Sequence, residues 1–215
     1  MGGIYSRTLY QLGRAEKVNG KKRKKEKRDV SPENNQGIYL VPQIVTNNGE
    51  QFRDMAEKMA NLGYKEVNIN LGCPSRTVVT KKKGSGFLAY PEELNNFLDE
   101  IFWYCKDMEI SLKTRIGMEN PEEFERLMEI YNKYPLKELI IHPRLQIDYY
   151  NNHPNMEVFS YAVEKSKAPL CYNGDLFSVE DIKTCCNVLN EQLAGTAICD
   201  IVEKMHYIQP LLASK

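Results

Sequence analysis

The sequence predicts an α/β fold built on a parallel sheet, and two observations support this. From about residue 36, short apolar runs rich in Val and Ile alternate with amphipathic stretches of ten to fifteen residues. This alternation is typical of repeated βα units, in which a helix returns the chain to the start of the next parallel strand. The chain has 215 residues, of which 42% are hydrophobic, so it is long enough to bury a sizeable core.

Five βα units are predicted between residues 38 and 187. The predicted strands are residues 38–44, 66–70, 110–114, 138–142 and 168–172. Helices are expected from about Gly49, with Gly63 ending the first; from Pro91; from the Asn120-Pro121 pair; over residues 156–165; and from a Ser178 cap. Beyond residue 187 the pattern weakens to a short strand at 195–199 and a weak helix at 201–212.

The first 30 residues form a basic segment in which we predict no strand or helix. They hold ten Lys or Arg and three Asp or Glu, in a chain whose formal net charge is zero. A solvated, disordered arm is one interpretation. An arm that contacts nucleic-acid phosphates is the other.

Several protein classes are disfavoured by what the sequence lacks. No apolar run of about 18 residues predicts a membrane span, and no secretory signal is visible at the N-terminus. The six Cys show no zinc-binding spacing and the three His are scattered, so we expect no metal site. We therefore expect a cytoplasmic protein whose thiols are reduced.

Each predicted strand ends in polar side chains. They are Gln43, Asn70 with Cys73, Lys113 with Arg115, His142 with Arg144, and Asn173 with Asp175. In parallel α/β folds, ligands bind at the carboxyl ends of the strands. Five successive strands with this pattern predict a ligand site at that edge of the sheet.

The residue types indicate the chemistry of this ligand. A lysine such as Lys113 stabilises an anionic ring or a phosphate, and amides such as Gln43 suit the edge of a heterocycle. The glycine-containing loops at 84–86 and 173–175 allow close approach of the backbone to a ligand. Cys73 lies in a loop directly after a strand, where a thiol acts as a nucleophile or as a general acid.

An ordered set of motifs resembles the tRNA-dihydrouridine synthase family. These motifs are residues 67–75 (VNINLGCPS), 83–86 (KGSG), 113–117 (KTRIG), 142–144 (HPR) and 173–175 (NGD), preceded by Gln43. They occur in the order and at the approximate spacing found in the family, over roughly residues 31–185.

The resemblance implies a TIM (β/α)8-barrel that uses FMN, with NADPH as reductant, to reduce uridine to dihydrouridine in tRNA. Cys73 is then the general acid that protonates C5 of the uracil, after hydride has reached C6. The FMN-binding residues it implies are Gln43, Lys113, His142, Asn173, Gly174 and Asp175. Asn70 and Arg144 are implied to hold the flipped-out uridine, and Lys81, Lys82 and Lys83 either meet tRNA phosphates or form a solvated charged run.

The sequence departs from the family at both ends. No Ala-Pro-Met segment precedes Gln43, and no Gly-Arg pair follows Asp175. We therefore expect an incomplete barrel with family strands three to seven present and strands one, two and eight absent or replaced. The expected organisation is a basic arm at 1–30, a partial FMN-binding barrel domain at 31–190 and an atypical segment at 191–215. The alternatives to an active enzyme are a weak or inactive remnant and an RNA-binding module without catalysis.

Overall fold

A computed structural model of the chain describes residues 7–12, 30–37, 39–178, 180–181 and 197–198, with the backbone alone described at 7–12 and 197–198. The described strands form one sheet in chain order. They are β1 (Arg7–Leu12), β2 (Tyr39–Ile44), β3 (Glu66–Leu71), β4 (Glu109–Arg115), β5 (Leu139–His142), β6 (Leu170–Tyr172) and β7 (Ala197–Ile198). Every neighbouring pair is parallel, which confirms the predicted α/β class.

Five α-helices lie in the described part of the chain: α1 (Gly49–Asn61), α2 (Arg76–Val79), α3 (Pro91–Tyr104), α4 (Glu123–Tyr131) and α5 (Met156–Lys165). The predicted starts of α1, α3 and α5 are confirmed. The backbone of Gly63 has φ +91°, which suits the predicted helix-ending glycine. Helix α2 and a 3-10 turn at Gly84–Phe87 lie in a segment predicted as loop.

Helix α4 begins at Glu123, three residues after the predicted Asn120 cap. The Glu123 carboxylate accepts hydrogen bonds from the backbone N–H groups of Met118, Glu119 and Asn120. These bonds fold residues 118–122 into a turn that leads into the helix.

The two faces of the sheet differ in chemistry. On β3, Val67, Ile69 and Leu71 belong to the apolar core that packs under the helices. Successive side chains of a strand point to opposite faces, so Glu66, Asn68 and Asn70 share the other face. In β4 the same alternation places Ser111, Lys113 and Arg115 on that second face, here called the inner face. Ser111 is in register with Asn68 and Lys113 with Asn70. The inner face is therefore polar in the middle of the sheet.

The prediction that the first 30 residues contain no strand is wrong. β1 pairs with β2 along all six of its residues. Its Thr, Leu and Tyr residues favour extended structure, and the edge of β2 supplies a hydrogen-bonding ladder that no local pattern reveals.

β7 falls inside the weak strand predicted at 195–199 and pairs with β6. The rest of the basic arm, the helix predicted at 201–212 and the body of the helix after Ser178 lie outside the described residues. The Ser178 hydroxyl accepts from the Asp181 N–H, as a cap would. The segment boundaries at 30 and 190 stay predictions.

Among the described cysteines, Cys73 and Cys105 are free thiols. No helix in the described part of the chain is long and apolar enough to cross a membrane.

Candidate active site

A buried network of neutral side chains, here called the amide network, joins β2, β3 and β4, and it runs from the middle of β3 and β4 to the carboxyl ends of β2 and β3. It consists of Gln43, Asn68, Asn70 and Ser111, and each is less than 9% exposed. Gln43 Nε2 donates to Asn68 Oδ1 at 2.8 Å, and Asn70 Nδ2 donates to Gln43 Oε1 at 2.7 Å. Asn68 Nδ2 continues the network to Ser111 Oγ at 2.9 Å. Two predicted site residues, Gln43 and Asn70, are thus in direct contact.

Asn70 also shapes the loop that carries Cys73. Its Oδ1 accepts from the backbone N–H groups of Gly72 at 3.0 Å and Cys73 at 2.9 Å. Its other amide atom donates to Gln43. The position of Cys73 therefore depends directly on the amide network.

The Cys73 carbonyl is held from its far side by Ser85. The Ser85 N–H and hydroxyl both donate to it, at 3.1 and 2.9 Å. Gly84 has φ +55°, and a Cβ there would lie 2.7 Å from the same carbonyl. The glycines of 84–86 were predicted to let the backbone approach a ligand, but the contacts described here are with the Cys73 loop and α2.

The Cys73 thiol is half-buried and makes no hydrogen bond with any described residue. Its backbone is held by hydrogen bonds at both the N–H and the carbonyl, while its sulfur has no hydrogen-bond partner among the described residues. This arrangement suits a side chain that acts on a bound molecule.

Arg115, only 1% exposed, is bound to three backbone carbonyls. Its Nε donates to Gly72 O at 3.0 Å and its Nη1 to Leu145 O at 2.7 Å, while its Nη2 donates to Tyr149 O. Burial lowers the pKa of this guanidinium. Arg115 thus connects the Cys73 loop to the loop that follows β5.

A charged cluster, consisting of His142, Arg144 and Asp175, follows β5 and β6. Arg144 is 4% exposed and forms a two-pronged ion pair with the Asp175 carboxylate, with Nη1 to Oδ1 at 2.8 Å. Arg144 Nη1 also lies 2.9 Å from His142 Nε2. The hydrogen bond from Arg144 lowers the pKa of Asp175, so this carboxylate is ionised at neutral pH.

The His142 ring is neutral in this setting. Burial, and after it the positive charges of Arg115, Arg144 and Lys113, lower its pKa to about 3. Because the imidazole carries no charge, its contribution to a site is a hydrogen bond.

The remaining predicted residues lie along the same edge. Lys113 is half-buried on β4 and in register with Asn70, and Arg115 is in register with His142. Asn173 donates its N–H to Ile141 O, and Gly174 packs beside Tyr172 and Pro154. The edge therefore brings together the predicted residues of all five strand ends.

The Lys81–Lys83 run is partly engaged with the protein. Lys82 Nζ lies 3.8 Å from the centroid of the Tyr90 ring and 3.4 Å from Glu93 Oε1. Such contacts fit the interpretation of a solvated charged run better than that of a free phosphate site at Lys82.

Sequence reasoning missed two contributors to this edge. Asn68 lies inside its strand, and the signal that marks it is the alternation of polar residues at 66, 68 and 70. Tyr150 is 74% exposed, and its ring lies 5.5 Å from the Arg115 guanidinium and 6.4 Å from the His142 ring. No local pattern marks Tyr150, because its placement depends on the fold of the loop.

A solved chain described as a deoxyribose-phosphate aldolase from Coccidioides immitis has a related fold. The TM-score is 0.56 at 9% sequence identity, over 94% of this chain and 82% of that one. At that identity the likeness concerns the fold alone, and it supports an α/β barrel-type architecture.

Sequence comparison leads to a family. A tRNA-dihydrouridine(16) synthase of Vibrio parahaemolyticus is 26% identical over 155 residues, which are 69% of this chain and 47% of that protein. The tRNA-dihydrouridine synthase B of Escherichia coli is 29% identical over 144 residues, 65% of this chain and 43% of that protein. The chain thus spans about half the length of these relatives.

The family model described as "Dihydrouridine synthase (Dus)" matches residues 15–193, which is most of the chain. Its match contains the whole amide network, the Cys73 loop and the charged cluster. The chain therefore belongs to the dihydrouridine synthase family.

Proposed function

We propose that the chain reduces uridine to dihydrouridine in tRNA, using FMN with NADPH as reductant. One observation carries the proposal: a single sheet edge combines an uncommitted thiol on a fixed loop with amide, ammonium and imidazole donors. Family membership supports the same reaction. Cys73 is the proposed general acid.

The residues at this edge fit the polar rim of an isoalloxazine ring. Gln43 uses one N–H and one lone pair within the amide network, so its amide retains a second donor and a second acceptor site. Lys113 adds a half-buried ammonium, and His142 adds a neutral ring. Asn173, Gly174 and Asp175 are the proposed contacts for the rest of the FMN molecule.

When bound, FMN supplies the hydride that reaches C6 of the uracil. Cys73 then gives its proton to C5 on the loop that Asn70 and Ser85 hold in place. Lys113 and Arg115 place positive charge at the edge, which stabilises negative charge as it develops there. The Arg115 guanidinium is fixed by three backbone carbonyls before any ligand binds, so it needs little reorganisation during the reaction.

The uridine has to leave the base stack to reach this edge. Tyr150 offers an exposed aromatic face beside Arg115, and stacking of a base on such a ring contributes about 1–3 kcal/mol. Asn70 and Arg144 remain proposed uridine contacts. Asn70 keeps one amide N–H for such a contact, because its other N–H donates to Gln43. All five N–H groups of Arg144 already have partners within the protein, so a contact with the base has to displace one of them.

The test is the absorbance spectrum of the purified chain with added FMN, followed by mass spectrometry of dihydrouridine in tRNA. We expect flavin binding and NADPH-dependent dihydrouridine formation. Cys73→Ala should abolish product while flavin binding persists. Cys105→Ala, which changes the second free thiol in the described part of the chain, is the matched control and should keep activity.

A chain that binds no FMN and forms no product contradicts the proposal. In that case a gel shift with tRNA separates the two alternatives. A shift without FMN indicates an RNA-binding module, and its absence indicates a remnant.

A further inference from the structure

Arg144 is bound on all sides by its own protein. Its Nε donates to the carbonyls of Asn151 at 3.1 Å and Asn152 at 3.2 Å, and its Nη2 donates to the Asn152 carbonyl at 2.8 Å. The remaining donors go to Asp175 and to His142 Nε2. A guanidinium has five N–H donors and no acceptor, so every donor of this residue has a partner before any ligand arrives.

We propose that Arg144 is a positioning residue that fixes His142 as the neutral tautomer with its proton on Nδ1. The imidazole then always presents the same N–H donor, at Nδ1, to a hydrogen-bond acceptor on the ligand. This role goes beyond a direct contact between Arg144 and the substrate.

The direction of the hydrogen bond follows from the chemistry of the pair. Because arginine only donates, His142 Nε2 has to accept, and the proton of the neutral ring is left on Nδ1. No described residue makes a hydrogen bond with Nδ1. The donor is therefore available to a ligand.

The surroundings keep Arg144 in place and the imidazole uncharged. The Asp175 carboxylate accepts from Nη1 and Nη2 of Arg144. The carbonyls of residues 151 and 152 accept from Nε and Nη2. The charged groups that face His142 are Lys113, Arg115, Arg144 and Asp175, so positive charges outnumber negative ones. A protonated ring would be repelled by this set.

The ligand class this predicts is a ring with a carbonyl oxygen or an unprotonated ring nitrogen at its edge. The isoalloxazine of FMN is such a ring, and only that identification rests on the proposed function. The tautomer itself is a property of the protein without ligand.

The test is a nitrogen-15 NMR spectrum of the imidazole groups in the ligand-free protein, with the His142 signals assigned by their loss in His142→Gln. We expect a single Nδ1–H tautomer between pH 5 and 8. Arg144→Met should convert it to a mixture of tautomers, and Asp175→Asn should do so partly. Arg126→Met, which removes an exposed arginine paired with Glu92 and Glu129, is the control and should leave the spectrum unchanged.

An Nε2–H tautomer or an imidazolium in the wild-type protein at pH 7 overturns the proposal, even if no variant folds. An unchanged tautomer in folded Arg144→Met overturns it as well. FMN titration is the second measurement: loss of one oriented hydrogen bond should weaken binding about five- to tenfold. If wild-type protein binds no FMN while the tautomer depends on Arg144, the proposed cofactor fails and the positioning role stands.

Discussion

The amide network holds the β2–β4 part of the site through neutral hydrogen bonds, whereas the charged cluster holds the β5–β6 part through an ion pair. The first is almost completely buried and has no titrating group. The second contains Asp175, whose pKa is lowered, and the His142 imidazole, which its surroundings keep neutral. One sheet edge therefore combines a part whose stability should not depend on pH, the amide network, with a part whose stability should, the charged cluster.

Arg115 connects the two parts. It donates to the Gly72 carbonyl on the Cys73 side and to the Leu145 and Tyr149 carbonyls on the His142 side. The placement of the Cys73 loop relative to the loop after β5 therefore depends on one buried cation.

The largest effect is expected from Arg115→Met, which removes the connection between the two parts. Three carbonyls lose their donors, and a buried unsatisfied group costs about 1–3 kcal/mol. We expect a loss of about 3 kcal/mol or more in the free energy of unfolding, measured by urea denaturation. Arg126→Met is the matched control, because exposed ion pairs contribute at most about 1 kcal/mol. An equal loss in both variants would refute the bridging role.

Asn68→Ala breaks the amide network alone. The side chain is 0% exposed and makes hydrogen bonds with Gln43 and Ser111, so we expect a loss of about 2 kcal/mol. The loss should be the same at pH 5 and pH 7, since no partner titrates. A cost that changes between these pH values would contradict the neutral character of this part.

The charged cluster should make stability depend on pH through His142. Its folded pKa of about 3 lies below the ordinary value of about 6.5, so the unfolded chain binds a proton that the folded protein does not. Stability should therefore fall by about 1.4 kcal/mol for each pH unit as the pH drops below about 6.5.

This slope should shrink in His142→Gln, measured by urea denaturation between pH 5 and 7. An unchanged slope would show that another group is responsible. Asp175, whose pKa is also lowered, loses its stabilising charge only at more acidic pH, as the carboxylate is protonated.

The smallest effect is expected from Lys82→Ala, outside both parts. Lys82 contacts Tyr90 and Glu93 at an exposed position, so we expect a change of at most about 1 kcal/mol in unfolding free energy. Affinity for tRNA should also change little, while Lys81→Ala, at a more weakly engaged neighbour, serves as comparison. A large loss of tRNA affinity in Lys82→Ala alone would show that RNA displaces these contacts.

Most strand and helix positions from residue 39 onward could be predicted from the sequence, because apolar periodicity is a local signal. The short helix α2, which buries no residue, and the start of α4 at Glu123 could not. The strand-end residues could be predicted for the same reason, as Gln43 and His142 follow apolar runs. β1 could not, since its pairing depends on the edge of a strand whose paired residues lie 32 positions further along the chain, as Arg7 with Tyr39. The roles of Arg144 and Tyr150 also depend on distant partners: Asp175 is 31 residues from Arg144, and Tyr150 meets Arg115 through a folded loop.

The alternation of polar residues on β3 and β4 has a consequence for folding fidelity. A parallel strand that slips by one residue exchanges its two faces. Such a slip of β3 would drive Asn68 and Asn70 into the apolar layer beneath the helices and turn Val67, Ile69 and Leu71 toward the polar interior. The same side chains that form the site thus penalise misaligned sheets, so selection for function and selection for correct strand pairing act here on the same residues.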